Sequence, residues 1–277
     1  MPYSPSEINS NQMVVVLYKM TPEDSPTIQS IMRYARALDE VAVAGYRLII
    51  WDNSPDACED SVRRMQKQLP MLSIQYIHTP ENTFLSKIYN LLAEQIHLNS
   101  YLTLLDQDTS LPNEYFKELQ LAQLRLEPLI LPKVICNGRL VSPGGRFLAH
   151  GRLLDSVPSG VIRSKNLLAI NSGMSILGKV LRIIKYDERL CFYGTDTYFM
   201  KKYERHFGHA FVLDSSILHS LAEMEIRPKE WHVANRKEKY RTFAIIFSDS
   251  VMEIIFVHIY IIFEKFKSRV LDLLNKL

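Results

Sequence analysis

The sequence predicts an α/β fold: a mainly parallel sheet flanked by helices, with a helical extension at the C-terminal end. Three observations predict it. The first hundred residues alternate between strand-like and helix-like patterns, and such alternation builds a parallel sheet with helices on its faces. The strand candidates are continuous apolar runs, as in strands buried on both faces. Polar residues recur where those runs stop, at the edge where open α/β sheets bind ligands.

The elements follow in order. "MVVVLY" (Met13 to Tyr18) is the first strand. "SPTIQSIMRYARALDEV" (25–41) is a helix, with Ile28, Ile31, Met32, Ala35 and Leu38 at helical spacing and Pro26 near its start. "YRLIIWDNSP" (46–55) is a strand running into a turn, and a helix over 56–69 leads to the strand "LSIQYIH" (72–78). A helix over 83–98 precedes the strand Tyr101 to Leu105. The strand ends offer Asp52, Asn53, Glu81, Asn82, Asp106 and Asp108 along one edge.

The second half is less regular. Residues 135–154 carry turn signals between short strand-like pieces. Residues 167–184 read as a strand, an Asn-Ser-Gly turn, a second strand and a helix. A loop then leads into a helix opening at Thr195 or Asp196, followed by the strand "HAFVLDSSILHSL" (209–221) and helix from Arg236 onward. The tail "FAIIFSDSVMEIIFVHIYIIFEKFKSRVLDLL" is very apolar, but Asp249, Glu253 and His258 interrupt it well short of a bilayer span. It packs on the core or a second subunit, or lies in a membrane interface with Lys265, Lys267 and Arg269 beside it.

Composition narrows the function. With 277 residues and 47% hydrophobic content, a large packed core is expected. A net charge of +3 gives no case for nucleic acid. The bases are uneven, however: Lys133 to Lys185 holds nine Lys or Arg against one acid, Asp155, so either a solvated basic face or a surface for an anionic partner is expected. Cys58, Cys136 and Cys191 are odd in number and widely spaced, which suits a reducing compartment and neither disulfides nor zinc. The polar N-terminus lacks the apolar segment of a signal peptide, so a cytoplasmic protein is expected.

The chemistry starts at "YLTLLDQDTSLP" (101–112). In an extended chain Asp106 and Asp108 point to the same side, where two carboxylates repel unless a cation lies between them. A hard divalent cation takes such oxygens and shares its shell with substrate phosphates. The alternative is a polar turn in which Asp108 or Thr109 caps a helix starting near Pro112.

Taken together, "VVVLYKM", "IIWDNSP", "NTFLSKIYN", "LTLLDQDTSLP", "NSGMSI", "FYGTDTYFMKKY" and "LDSSILHS" resemble, in order and spacing, a bacterial family-2 glycosyltransferase of the GT-A (Rossmann-like) fold, in the rhamnosyltransferase-like branch. The resemblance spans about 14–219 and implies inverting transfer of a sugar from a nucleoside-diphosphate donor. It implies a domain over 1–222, with a nucleotide half at about 13–110 and an acceptor half at 111–222, followed by an extension over 223–277. Asp52 would contact the base, Asn82 and Asn90 would line the nucleotide pocket, and Asp106 would hold metal or ribose. Asp108 and His219 would hold Mg²⁺ or Mn²⁺, which would neutralise the departing diphosphate. Asp196 would be the general base, with Asn171, Ser172, Gly173 and Thr195 on the acceptor side. On residue type alone, Asp52 is equally an Asx-turn, Asn82 a helix N-cap, Asn171 to Gly173 a turn and Asp196 a helix N-terminal acid. Two positions depart from the family pattern: Phe84 stands where a glycine is usual, and Thr195 where a glutamate is usual. The implied acceptor is a lipid-linked glycan of O-antigen, capsule or lipopolysaccharide, met at the inner face of the cell membrane by a monomer or homodimer. The rivals are a sugar nucleotidyltransferase, although "YKMTPEDSP" lacks a glycine-rich phosphate loop, and a non-catalytic glycan-binding or membrane-scaffold protein.

Overall fold

The computed structural model describes residues 10–38, 45–191, 193–219 and 229–274. The first half follows the predicted alternation: β1 (Asn11–Leu17), α1 (Pro26–Arg36), β2 (Tyr46–Asp52), α2 (Glu59–Gln68), β3 (Ser73–His78), α3 (Leu85–Gln95) and β4 (Tyr101–Asp106). These four strands are mutually parallel, in the order β3-β2-β1-β4. Val14, Val15, Leu48 to Ile50 and Leu102 to Leu105 are almost wholly buried, apart from Thr103 all apolar, as strands covered on both faces require.

Three helices are shorter than periodicity predicts, each for a local reason. α1 stops at Arg36, where Ala37 and Leu38 turn back to Tyr34 and Ala35 in tight three-residue bonds. The expected end at Val41 lies outside the described residues. α2 starts at Glu59 because residues 54–58 are held as a loop: the Cys58 N–H donates to the Tyr76 hydroxyl at 2.8 Å. α3 starts at Leu85 because Asn82 is left-handed (φ +55°) and the Asn53 amide holds the Thr83 carbonyl at 2.8 Å. Asn82 is therefore a turn residue, and Phe84 takes the N-cap position.

After β4 come α4 (Asn113–Leu124), β5 (Leu129–Cys136), β6 (Arg139–Ser142), β7 (Gly144–Phe147), β8 (His150–Arg152), β9 (Gly160–Arg163), β10 (Leu167–Leu168) and β11 (Ser175–Leu177). They are followed by α5 (Gly178–Ile183), α6 (Thr195–His206), β12 (His209–Leu218), α7 (Lys229–Ile246) and α8 (Val251–Leu274). The main sheet continues from β4 through β11, β5, β12 and β9, while β10, β7 and β8 form a small separate sheet. β11 is antiparallel to both neighbours, so the sheet is mixed.

Strand β5 escapes sequence reading because Pro132 interrupts it, and proline normally marks an edge. Here it is internal. Its missing N–H falls where β12 breaks register: Leu131 faces Val212, but Lys133 faces Ser216. The bulged amides of Asp214 and Ser215 donate instead to Glu118 at 2.7 and 3.0 Å. The bulge lets β12 keep pairing with β5 as far as Leu218, and so carries its end to the rim beside β4.

The C-terminal helices pack on α6. Leu190 and Tyr198 form a second small core with Ile246, Phe247 and Val257. The expected boundary at 222/223 lies outside the described residues.

Candidate active site

Register builds the site's floor. Val16 of β1 faces Asp106 on β4, and Leu17 faces Asp52 on β2. The two acids thus end neighbouring strands on either side of β1, two strand spacings or about 10 Å apart.

The strand stops at Asp106, and Gln107 and Asp108 form a turn. The two acids are therefore not placed together by an extended chain, as the sequence suggests, but by a clamped turn. Three of its carbonyls are held from the start of α1. Thr27 Oγ1 lies 2.5 Å from the Asp106 carbonyl and 2.9 Å from that of Thr109, while Ser25 donates to the Gln107 carbonyl at 2.6 Å. The spacer Gln107 points back, accepting from the Tyr18 N–H at 2.8 Å. Neither Asp108 nor Thr109 caps α4, whose N-cap position is Pro112 without a side-chain bond.

His219 comes from the far end of the chain. Ser110 and Leu218 exchange backbone bonds at 2.9 and 3.2 Å, which sets the next residue against the turn. His219 Nε2 lies 3.5 Å from Asp106 and Nδ1 lies 3.4 Å from Asp108, with Nδ1 also 2.9 Å from Thr109 Oγ1. The imidazole is buried, whereas the Asp106 and Asp108 side chains are 35% and 38% exposed. Partial desolvation at the strand end lifts the Asp106 carboxyl above the ordinary range, opposed by His219 and reinforced by Asp108. Among the described residues, no group of three or more His, Cys, Asp and Glu side chains forms a metal cage by itself. The two acids meet different nitrogens of the imidazole, so the three side chains do not converge on one point; the carboxylates of Asp106 and Asp108 are oxygen ligands of the kind Mg²⁺ or Mn²⁺ takes when phosphate oxygens complete the shell.

Asp52 sits at the same edge but is turned into its own loop. It is fully buried and accepts from Tyr76 Oη (2.6 Å), the Ser54 N–H (2.9 Å) and Cys58 Sγ (3.1 Å). Burial pushes its carboxyl up, but these hydrogen bonds outweigh that and hold it below the ordinary range.

The acceptor-side candidates join one buried network. Asn171 accepts from Tyr186 Oη at 3.0 Å and donates to Thr195 Oγ1 at 3.3 Å. Asn90 locks the same segment, accepting from the Tyr186 N–H at 2.9 Å and donating to its carbonyl at 3.0 Å. Ser172 lies 2.7 Å from Thr109 Oγ1 and hydrogen-bonds Asp106. Gly173 is left-handed (φ +79°) and packed so tightly that a Cβ would fall 2.6 Å from Pro132. It is part of the core, not of a surface wall.

Asp196 is half-buried in the first turn of α6, and its Oδ1 accepts from the Thr197 N–H at 2.6 Å. Burial raises the Tyr89 hydroxyl far above its ordinary value, and the charges of both Asp106 and Asp196 push it the same way. Sequence reasoning missed the parts that hold the site: Ser25, Thr27, Tyr76, Tyr89, Gln107 and Tyr186. Only a hydroxyl pair opening α1 signalled any of them.

The basic 133–185 segment is not one open face. Arg146 is buried, ion-paired to Glu204 and to Glu253 (3.1 Å). Lys133 pairs with Asp214 at 3.0 Å.

No protein-family model matches the sequence, and no curated protein matches it. Solved structures do match the fold. S. aureus TarS (residues 1–349) superposes with a TM-score of 0.57 at 12% identity, over 89% of this chain and 68% of that one. GalNAc-T7 with UDP, GalNAc and Mn²⁺ gives 0.61 at 12% identity, over 76% and 44% of the two chains. The mannosyltransferase PcManGT of Pyrobaculum calidifontis, with GDP-Man and Mn²⁺, gives 0.53 at 12% over 90% and 69%. At this identity the likeness is one of fold: the chain has the GT-A (Rossmann-like) architecture, a mostly parallel mixed sheet flanked by helices.

Proposed function

We propose that this protein is a metal-dependent, inverting glycosyltransferase. It moves a sugar from dTDP-rhamnose or a UDP-hexose to a lipid-linked glycan of O-antigen, capsule or lipopolysaccharide, at the inner face of a bacterial cell membrane. The observation that carries the reading is the meeting of Asp106, Asp108 and His219 at the end of β4. The UDP, UDP-GlcNAc, GDP-Man and Mn²⁺ found with proteins that share the fold support a donor of this class.

In this reading Asp106, Asp108 and His219 would hold Mg²⁺ or Mn²⁺, which would supply charge neutralisation to the leaving diphosphate. The loops after β1 and β2 hold the nucleoside: Asp52 orders Ser54, and Ser54 Oγ accepts from the Lys19 N–H at 2.8 Å. Asn82 and Asn90 belong to the same half, Asn90 through the segment it locks. Asp196 takes the proton of the attacking acceptor hydroxyl, which requires hydrogen-bond reach to that group. Its backbone is set by the Asn171–Thr195 contact, and Ser172 and Gly173 fix the turn that carries Asn171.

The test is thermal unfolding and donor turnover of the full chain with dTDP-rhamnose and UDP-hexoses, with Mn²⁺ or with EDTA. A donor at 100 times its Kd stabilises by about 2.7 kcal/mol. We expect stabilisation that EDTA removes, and turnover that Asp196→Asn abolishes while donor binding persists. Turnover unchanged by EDTA or by Asp196→Asn overturns the reading.

A further inference from the structure

Helix α8 packs Val257 inward but carries a second, larger apolar side. Its acid faces inward: Glu253 is buried against Lys201 at 2.7 Å and Arg146 at 3.1 Å. Its larger apolar side faces out, with Met252 67%, Ile255 54%, Ile259 61%, Ile262 67%, Phe263 61% and Phe266 65% exposed. These six side chains run along about 20 Å of helix. They present on the order of 600 Å² of apolar surface, as much as the largest patch of a typical monomer.

We propose that this face docks on an anionic phospholipid surface, with the helix lying in the interface plane. Spanning is excluded for the described helices, none of which is long and apolar enough to cross a membrane. Two observations favour lipid over a second copy of the chain. The first is charge. Residues 229–274 carry eight Lys or Arg and six acids, and two of those acids, Asp249 and Glu253, are neutralised inward by Arg205, Lys201 and Arg146. By sequence that leaves eight bases against four acids in the segment that carries the apolar face, and such a surplus favours anionic headgroups. The second is polarity. A protein interface carries roughly one hydrogen bond per 100–200 Å². The described exposed face offers His258, whose Nδ1 already lies 2.8 Å from the Ile254 carbonyl. The docked helix is also tied to α6, which opens at Thr195 and Asp196, through the buried Lys201–Glu253 pair. Docking would therefore hold the Asp196 turn at a set height above the lipid.

The test is co-sedimentation of the full chain with phosphatidylcholine vesicles, with and without about one-third phosphatidylglycerol. We expect binding to the anionic vesicles that weakens with salt, and about a tenfold or greater loss in I259E/F263E. K265Q/K267Q/R269Q provides a second variant, expected to lose the preference for anionic lipid. Absence of vesicle binding by the parent chain overturns the proposal, as does I259E/F263E binding like the parent. A concentration-dependent dimer in light scattering that I259E/F263E dissolves, without vesicle binding, assigns the face to a second copy and also overturns it. No nucleotide enters the assay, so its outcome is independent of the glycosyltransferase reading.

Discussion

Replacing Glu253 by glutamine tests whether the C-terminal helices are held by buried charge. In the parent, Lys201 is almost fully buried and bonds Glu253 Oε2 at 2.7 Å and the Ile246 carbonyl at 2.6 Å. It also stands 4.5 Å over the Phe247 ring. The same carboxylate serves Arg146 through Oε1. Removing one partner of a buried ion pair costs about 3–5 kcal/mol, because the other charge stays desolvated. Arg146 keeps Glu204 and Lys201 keeps Asp249 at 3.8 Å, so the low end, about 3 kcal/mol, is expected. At about 2–4 °C per kcal/mol for a chain of this size class, Tm falls by roughly 6–12 °C. Circular-dichroism melts and urea titration measure it. The double variant Lys201→Met/Glu253→Leu removes both charges and is expected to recover most of the loss.

The pH dependence adds a second readout. Burial lowers the Lys201 pKa below 10.5, and Glu253 counteracts that, so E253Q lowers it further. A lysine whose folded value lies below its unfolded one leaves the unfolded state holding more protons between the two values. Stability then rises with pH across that window. The deficit of E253Q against the parent should therefore shrink as pH rises toward the ordinary lysine value of about 10.4, with tyrosine titrations common to both proteins cancelling. A cost below about 1 kcal/mol, or a double variant worse than the single one, refutes the reasoning.

Asp52 has a folded value below its unfolded one, so its contribution is present above about pH 4 and is lost as pH falls through the folded value; D52N should flatten the acid limb of stability against pH. Thr27→Val strips the hydroxyl that holds the Asp-Gln-Asp turn, and about 1–3 kcal/mol of stability should be lost in urea titration. Gly173→Ala forces a left-handed alanine against Pro132 and Ile217, at a cost of about 2–4 kcal/mol in the same assay. Under the proposed function, Asp108→Asn should keep the parental Tm without ligand but lose the Mn²⁺-dependent shift with donor, since its carboxylate is more than a third exposed.

Much of the fold was legible because burial on two faces leaves a one-dimensional trace. The runs at Val14, Ile49 and Leu104 identify strands without reference to their neighbours. Strand β5 was not legible: Pro132 reads as an edge residue until the bulge in β12 opposite it is known. Asn82 read as a cap because cap and left-handed turn share the same residue preference, and only its φ of +55° separates them. Among the site residues, Asp106 and Asp108 were visible as a pair, whereas the hydroxyls of Ser25 and Thr27 that clamp their turn lie about eighty positions upstream.

What the sequence determined by itself is the list of parts: four parallel strands, acids at their carboxyl ends, and an acid opening α6. Those follow from hydrophobic period and residue chemistry, which are local. The tertiary structure decided which parts meet. His219 reaches the Asp106 turn through a strand bulge and the Ser110–Leu218 bridge, and Glu253 turns inward because Lys201 and Arg146 wait there. Such meetings depend on contacts between residues more than fifty positions apart, and no local pattern encodes them.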